Sequence, residues 1–153
     1  METFPAWYPE WSLSFDLYPL GPVDARGSIL RLKSNGARNP FFFFRNGSLD
    51  LTVVADIDGV RTSTSAGVMP INQWTTISTS QKYIQDDWNY VVEINHTTIF
   101  TTTNQKPEIF PDANLYAAAY NTVANAWVKN IIAETANTGL SRALTQGYYI
   151  IFK

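Results

Sequence analysis

Apolar and polar residues alternate most clearly between Ile71 and Asn104, and the rest of the chain is organised around this stretch. From residue 88 onwards every second side chain is large and apolar: Trp88, Tyr90, Val92 and Ile94. Because successive side chains of a strand point to opposite faces, this spacing predicts a strand with one apolar face. Trp74–Thr79 and Thr97–Thr103 are β-branched runs that predict two further strands. Gln81–Asp87 is mostly polar, which favours a connection between strands.

The same pattern recurs before and after this stretch. It predicts strands over Trp11–Tyr18, Ser28–Lys33, Leu49–Val53, Val60–Ser65 and Tyr148–Phe152. Four consecutive phenylalanines, Phe41–Phe44, require apolar surroundings on both faces of their strand. Such a run is typical of a central strand in a layered structure.

Turn signals separate these strands. They lie at Asn35-Gly36, Asn46-Gly47, Asp58-Gly59 and Asn95-His96. Asn-Gly and Asp-Gly tolerate the positive φ that two-residue hairpin turns require. Short strands at a spacing of roughly ten residues are typical of an antiparallel sandwich or barrel. We therefore predict a single all-β domain over residues 1–153, in which residues 1–10, with two prolines, are an extended lead-in.

The segment 112–138 fits two interpretations. Six alanines lie from Ala113 to Ala126, and apolar residues recur there at helical spacing. Asp112 could cap such a helix and Gly139 could terminate it. One short helix and a strand–loop–strand arrangement both remain open from propensity alone.

Composition narrows the classes of partner. Hydrophobic residues make up 45% of the chain and charged residues 16%, so the polar surface must come largely from Ser, Thr, Asn and Gln. The formal net charge of −2 builds no positive field, which argues against a nucleic-acid partner. The absence of cysteine excludes disulfides and thiolate metal sites. No run approaches the roughly 20 apolar residues of a membrane span.

In their order along the chain, the strand segments resemble those of laminin-G-like and concanavalin-A-like jelly rolls. The segments that carry the resemblance are WSLSFDLYP, GSILRL, PFFFF, LDLTVV, INQWTTISTSQ, YVVEIN and LYAAAYN…ANAWVKNI. The most specific element is a tryptophan that opens a strand after a short turn, here Trp74, followed by a strand that ends in a hairpin, here at Ile94-Asn95-His96. The resemblance implies a two-sheet antiparallel β-sandwich, in which ANAWVKNI is a late strand rather than a helix.

The resemblance also implies a non-catalytic module that binds a glycan or an extracellular protein, in some relatives through calcium on the rim. In many relatives the loop after the "L-Y" strand carries an acidic residue, whereas Ala117–Asn121 contains none. Asp56-Ile57-Asp58-Gly59 is similar to the start of a calcium loop, but Gly67 stands where the closing glutamate should be. Calcium therefore lacks support in the sequence, and we expect no metal site and no cofactor.

The sequence also gives little support for a catalytic function. Glycoside hydrolases need two carboxylates about 5–9 Å apart, and in concanavalin-A-like hydrolases these commonly form an E-x-D-x-x-E strand. None of the glutamates has an acidic residue two positions on: Glu2, Glu10, Glu93, Glu108 and Glu134. The single histidine, His96, falls in a predicted hairpin turn, where a solvated side chain is the ordinary explanation. We expect no catalytic residues.

Exposed aromatic rings are the usual platform for a sugar, because a ring stacks on the apolar face of a pyranose while amides bind its hydroxyls. The best candidate cluster for ligand binding is Tyr120, Asn121, Asn125 and Trp127. The competing interpretation is that Trp127 is a core residue and the asparagines are turn residues. Trp7 and Tyr8 are a second candidate platform, for which packing against the edge of the sandwich is the ordinary explanation.

Two triplets match the N-glycosylation sequon, at Asn46-Gly47-Ser48 and Asn95-His96-Thr97. Both lie in predicted hairpin turns, where an acceptor would be accessible in a secreted protein. The N-terminal residues lack the basic and apolar regions of a signal peptide. The chain is then either intracellular or a domain excised from a longer protein with Met1 added, and we favour an excised extracellular or secreted domain.

The sequence leaves three alternative functions open. The first is an extracellular module that recognises a glycan or a protein partner. The second is a structural or assembly domain of a matrix protein or viral shell, since low charge and many aromatic residues suit a buried interface between copies in a homo-oligomer. The third is a glycoside hydrolase.

Overall fold

The structure is a computed structural model that describes residues 2–35, 37–117, 122–137, 140–145 and 150–151. Within these residues it contains thirteen strands and no helix. In chain order the strands are β1 (Glu2–Trp7), β2 (Glu10–Pro19), β3 (Gly27–Ser34), β4 (Ala37–Phe44), β5 (Asp50–Ile57), β6 (Val60–Val68), β7 (Thr75–Ile84), β8 (Asp87–Ile94), β9 (Thr97–Thr103), β10 (Phe110–Ala117), β11 (Ala126–Asn137), β12 (Leu140–Thr145) and β13 (Ile150–Ile151).

The strands form two antiparallel sheets. Sheet 1 has six strands in the order β1-β10-β3-β4-β5-β6. Sheet 2 has seven strands in the order β12-β11-β2-β7-β8-β9, with β13 paired to β11 at the residue pair Trp127 and Ile151. Neighbours such as β11 and β2 are more than 100 residues apart in sequence, so both sheets depend on long-range pairing. Of the sandwich and the barrel that the alternating pattern allowed, this is the antiparallel two-sheet sandwich that the resemblance implied.

The core lies between the two sheets and follows from the alternation on each strand. On β2 every odd residue from Trp11 to Leu17 is buried, whereas the even residues are partly exposed. The ring of Phe15 on β2 meets that of Phe42 on β4 edge-to-face, with 4.9 Å between centroids, and so joins the sheets. Tyr90 on β8 is also inside, and burial raises the pKa of its phenol from 10.0 to about 12.

The run Phe41–Phe44 is a central strand, as predicted. It lies between β3 and β5, and all four rings are buried. Phe42 and Phe44 face the main core, whereas Phe41 and Phe43 pack with Val54 in a second cluster of their own. Sheet 1 therefore carries an apolar patch on its outer face.

The structure differs from the sequence-based predictions in two segments. The short helix considered for 112–138 is not present in the described part of that segment, where β10 and β11 are strands and Ala113, Ala126 and Ala133 fit into the buried face. Long-range pairing outweighs the helical propensity of alanine here. Gln81–Asp87 is not a connection, because β7 continues to Ile84 and the turn is confined to Gln85 and Asp86.

The N-terminal lead-in is extended, as expected, and it is also part of the fold. Glu2–Trp7 forms β1, which pairs with β10 at the edge of sheet 1. Trp7 is completely buried and its ring contacts those of Phe4 and Trp11. Trp7 is therefore a core residue, and its ring is not accessible to a sugar.

Candidate functional site

Three aromatic side chains and one lysine meet on the outer face of sheet 2. We call this group the aromatic surface; its members are Tyr18, Trp74, Trp127 and Lys129. Tyr18 is the last outward residue of β2, and its Cα lies opposite that of Trp127 on β11. The alternation of both strands sends the two side chains to the same, solvent-facing side.

The geometry of the aromatic surface is that of a ring platform. The rings of Tyr18 and Trp127 are stacked, with centroids 5.4 Å apart and planes 21° apart. The ring of Trp74 lies 5.1 Å from Tyr18 at an angle of 51°. The ammonium nitrogen of Lys129 lies 3.9 Å from the centroid of Trp74, within cation–π range. Trp74 and Trp127 remain 40% and 42% exposed, so ring surface is available to a ligand.

Trp74 is placed by a short turn that precedes β7. Asn72 adopts a positive φ of 55°, and its backbone N–H donates to the carbonyl of Pro19 at the end of β2. This hydrogen bond holds the turn beside Tyr18. The prediction that Trp74 follows a turn is confirmed, but the strand opens one residue later than predicted, because β7 begins at Thr75.

A carboxylate lies next to the aromatic surface. Asp16 on β2 accepts a hydrogen bond from Thr76 Oγ1 on one oxygen and from Asn130 Nδ2 on the other, each at 2.7 Å. Asn130 reaches Asp16 because β11 has a bulge between Lys129 and Ile132, where Asn130 adopts a φ of 51°. The bulge therefore brings an amide, a carboxylate and a hydroxyl together beside the rings.

Polar side chains continue across the same face. Glu93 on β8 accepts hydrogen bonds from Ser78 Oγ at 3.0 Å and from Thr98 Oγ1 at 3.4 Å. Ser12 on β2 donates to Glu134 on β11 at 3.1 Å. The face thus offers carboxylates and hydroxyls, the groups that exchange hydrogen bonds with sugar hydroxyls.

Of the four predicted ligand-binding residues, the structure describes two, and both are exposed. Trp127 lies in the aromatic surface, so the interpretation that it is a core residue is wrong. Asn125 is exposed two residues earlier, and its carbonyl accepts a hydrogen bond from Leu20. Tyr120 and Asn121 lie outside the described residues. Whether any of the four binds a ligand stays a prediction.

Four residues of this region are not among the ligand-binding residues predicted from the sequence: Tyr18, Trp74, Lys129 and Asp16. Their convergence depends on the pairing of β2 with β7 and β11, which alternation alone does not reveal. One usable signal was present, because Tyr18 is an aromatic residue at an outward position of a half-buried strand.

The two sequons lie in turns, as predicted. Asn46 and Asn95 are both exposed, and each lies in the turn between two paired strands. Asn95 has a φ of 49°, and its Oδ1 accepts the backbone N–H of Thr76. Their glycosylation stays a prediction.

Two residues considered for metal binding or catalysis, Asp58 and His96, lie in exposed turns. Asp58 and Gly59 form the turn between β5 and β6, with φ values of 55° and 74°. His96 is exposed in the turn after β8. Across the described ranges, no three His, Cys, Asp or Glu residues are grouped so that they could hold a metal ion. No helix in that part of the chain is long and apolar enough to cross a membrane.

Comparison with known proteins supports the fold. No family model and no curated protein sequence matches the chain. Among solved structures, a native heptameric SAP-like pentraxin from Limulus polyphemus matches with a TM-score of 0.60 and 12% identity, over 99% of this chain and 86% of its own. This likeness shows the fold, a concanavalin-A-like jelly roll, as the resemblance in sequence implied.

Two further structures match more distantly. One is of botulinum neurotoxin type C, whose cell entry is described as dependent on two ganglioside molecules. Its TM-score is 0.46 at 13% identity, over 73% of this chain and 29% of its own. The other is sheep galectin-11 in complex with glycerol, with a TM-score of 0.42 at 11% identity, over 74% of this chain and 87% of its own.

Proposed function

We propose that the chain is a non-catalytic extracellular binding module that holds a neutral glycan on the aromatic surface. The observation that carries the proposal is the exposed stack of Tyr18 and Trp127 with Trp74 beside it. Folding usually buries large rings, and three that meet in solvent leave an apolar platform exposed. A pyranose covers such a platform with its C–H face and keeps its hydroxyls at the rim.

The polar residues around the rings favour a neutral sugar. Asp16 lies beside the aromatic surface, and Glu93 and Glu134 lie farther along the same face. Their carboxylates accept hydrogen bonds from hydroxyl groups and repel anionic ones. Lys129 is held over Trp74, where its charge offsets that of Asp16 on the neighbouring strand. A hexose or N-acetylhexosamine fits this combination.

An extracellular setting is part of the proposal. It is supported by the two exposed sequons at Asn46 and Asn95 and by the low content of charged residues, 16%. Expression in a secreting eukaryotic host tests it. We expect both asparagines to carry glycans, detected by mass spectrometry of the peptides before and after enzymatic deglycosylation. Unmodified asparagines at both positions would count against this setting.

The binding role is tested by screening the whole chain on a glycan array and then measuring affinity by calorimetry. We expect Trp74→Ala and Trp127→Ala each to weaken binding about tenfold, as loss of a stacked ring should. Trp88→Ala is the matched control, because Trp88 lies at the other end of the β7–β8 hairpin, against Tyr83. Absence of glycan binding by the unmodified chain, or equal affinity of all three variants, would contradict the proposal.

An assembly role is the second candidate, and one observation favours it. β9 is the edge strand of sheet 2, its sequence TTIFTTT has no charge or proline, and Ile99 is exposed. Such an edge presents unpaired backbone groups to another copy of the chain. Light scattering after size exclusion distinguishes the roles: a dimer that Thr101→Lys dissociates supports assembly, and a monomer at high concentration excludes it.

A further inference from the structure

The outer face of sheet 1 contains a pocket with two arginines. We call it the arginine pocket; its volume is about 430 Å³ and it is lined by Arg26, Phe43, Arg45, Asn46, Thr52 and Ser63. These residues come from the loop before β3, from β4 and the turn after it, and from β5 and β6. The pocket lies on the sheet opposite to the aromatic surface, so the two regions share no residue.

The floor of the pocket follows from the run of phenylalanines on β4. Because alternate residues point outward, Phe41 and Phe43 leave the main core, and their rings pack together with 4.9 Å between centroids. On β5, Thr52 lies opposite Phe43 and contributes a hydroxyl beside the ring. The floor is therefore apolar, with a polar group at its edge.

Arg26 covers this floor. Its guanidinium carbon lies 4.6 Å above the centroid of Phe43, in a cation–π arrangement. The loop before it is fixed to the turn after β4, because the N–H of Gly47 donates to the carbonyl of Val23 at 2.8 Å. A guanidinium that stacks by its face still directs its N–H donors sideways, where an anion can accept them.

Arg45 supplies the second set of donors. Its Nε donates to Thr52 Oγ1 at 3.2 Å and lies 3.4 Å from a carboxylate oxygen of Asp50. Both contacts use Nε, and a guanidinium has four other N–H groups. The side chain is 58% exposed, so these groups are accessible from solvent. Asp50 also accepts a hydrogen bond from Ser65 and does not line the pocket.

We infer that the arginine pocket binds a sugar that carries an oxyanion, either a sulfate ester or a carboxylate. Two guanidinium groups line it without a lining carboxylate, which suits an oxyanion held by charge-assisted hydrogen bonds. Asn46 and Ser63 add an exposed amide and an exposed hydroxyl that can bind sugar hydroxyls, while the hydroxyl of the buried Thr52 holds Arg45. The volume falls in the range of roughly 300–1,000 Å³ that is usual for small-ligand sites.

The test uses the chain expressed in bacteria, so that Asn46 at the rim carries no glycan. Calorimetry would compare a sulfated disaccharide, a disaccharide containing a uronic acid, the corresponding neutral disaccharide and sodium sulfate. We expect one or both charged sugars to bind, with an affinity that falls as salt rises. Which of the two binds more tightly identifies the oxyanion. The neutral disaccharide should bind at least tenfold more weakly at this pocket.

Variants separate the pocket from a general effect of charge. Arg26→Gln and Arg45→Gln should each lower the affinity for the charged sugar about tenfold, as loss of a charge-assisted contact does. Arg61→Gln is the matched control, since Arg61 is exposed on β6 of the same sheet but does not line the pocket. Thermal melting would verify that each variant folds. Trp127→Ala should leave this binding unchanged, which keeps the result separate from the proposed glycan site.

Several results would overturn the inference. One is an equal loss of affinity in Arg61→Gln, and another is full affinity in both pocket variants. Sodium sulfate that binds as tightly as the sulfated sugar would show that the pocket does not recognise a saccharide. Tighter binding of single-stranded DNA, abolished by the same pocket variants, would assign it to a phosphodiester instead.

Discussion

The rings of Tyr18 and Trp127 stack on the outer face of sheet 2, with centroids 5.4 Å apart. Their Cα atoms are opposed across β2 and β11, strands separated by more than 100 residues. The position of the proposed glycan site is thus determined by the strand pairing of the fold. Tyr18 and Trp127 belong to paired strands, and Trp74 lies in the turn that precedes β7 and is hydrogen-bonded to the end of β2. A platform on strands is already ordered before a ligand arrives.

The first prediction concerns Tyr18, whose ring supports Trp127 from one side and contacts Trp74 on the other. Tyr18→Phe retains both ring contacts and should keep glycan affinity within about twofold. Tyr18→Ala removes them, and we expect affinity to fall about tenfold while stability falls by about 0.5–1.5 kcal/mol. Calorimetry and urea denaturation measure the two effects. Equal glycan affinity of Tyr18→Ala and Tyr18→Phe would show that the ring contacts of Tyr18 do not contribute to binding.

The second prediction compares two neighbours on β4. Phe42 is completely buried between the sheets against Phe15, so Phe42→Ala should cost about 3–5 kcal/mol of unfolding free energy. Phe43 lies on the outer face, where Arg26 covers it, and Phe43→Ala should cost less. Chemical denaturation of both variants tests the order. A larger loss in Phe43→Ala would contradict the assignment of faces.

The third prediction concerns Gly27 at the start of β3. A Cβ atom there would lie 3.0 Å from the backbone Cα of Ala124 and 3.0 Å from a methyl carbon of Val23. The segment around Ala124 cannot easily withdraw, because its N–H donates to the carbonyl of Ser28. Gly27→Ala should therefore cost about 1–3 kcal/mol, as overpacking does.

Gly21→Ala is the matched control for Gly27→Ala. A Cβ at Gly21 would meet only the side-chain nitrogen of Asn125 at 3.5 Å, an ordinary contact. Its effect on the thermal midpoint should be small. If both alanine variants melted at the same temperature, the close approach of residue 124 to β3 would be in doubt.

The fourth prediction is a loss of stability at alkaline pH. Desolvation by burial raises the pKa of Tyr90 to about 12, while a hydrogen bond with Thr79 acts in the opposite direction. The folded state then holds this proton up to about pH 12, whereas the unfolded chain releases it near pH 10. The stabilising contribution is thus complete below pH 10 and is lost as pH rises towards 12, up to roughly 3 kcal/mol.

Tyr90→Phe tests the cause of this loss. Phenylalanine cannot titrate, so we expect the variant to lose less stability than the unmodified chain between pH 9 and pH 11.5. Denaturation at a series of pH values measures the difference. Parallel curves for the two proteins would show that other groups determine the alkaline transition.

Local patterns predicted much of the fold. The alternation on β2 and β8, the central phenylalanine strand and the turns at Asn46-Gly47 and Asp58-Gly59 agree with the structure, because burial on one face and positive φ are local requirements. The turn at Gln85 and Asp86 was missed because neither residue is glycine or asparagine. The alanine-rich segment was ambiguous because alanine fits a tightly packed strand as well as a helix.

The site was less accessible to prediction. Trp127 was selected as an aromatic beside asparagines, but its partners were not, because their proximity depends on which strands pair. Trp74 was recognised only as the start of a strand. Arg26 and Arg45 line the same pocket for the same kind of reason, since a hydrogen bond between Gly47 and Val23 joins their segments. Sequence spacing carries no record of such pairings.

The most direct test of glycan binding at the aromatic surface follows the indole N–H resonances by NMR during titration with a neutral glycan selected on the array. The chain has five tryptophans, which makes assignment by single substitution practical. We predict that the signals of Trp74 and Trp127 shift with a common affinity, while those of buried Trp7 and Trp11 stay in place. Shifts confined to Trp88, or no shift at Trp74 and Trp127 on saturation, would contradict the account.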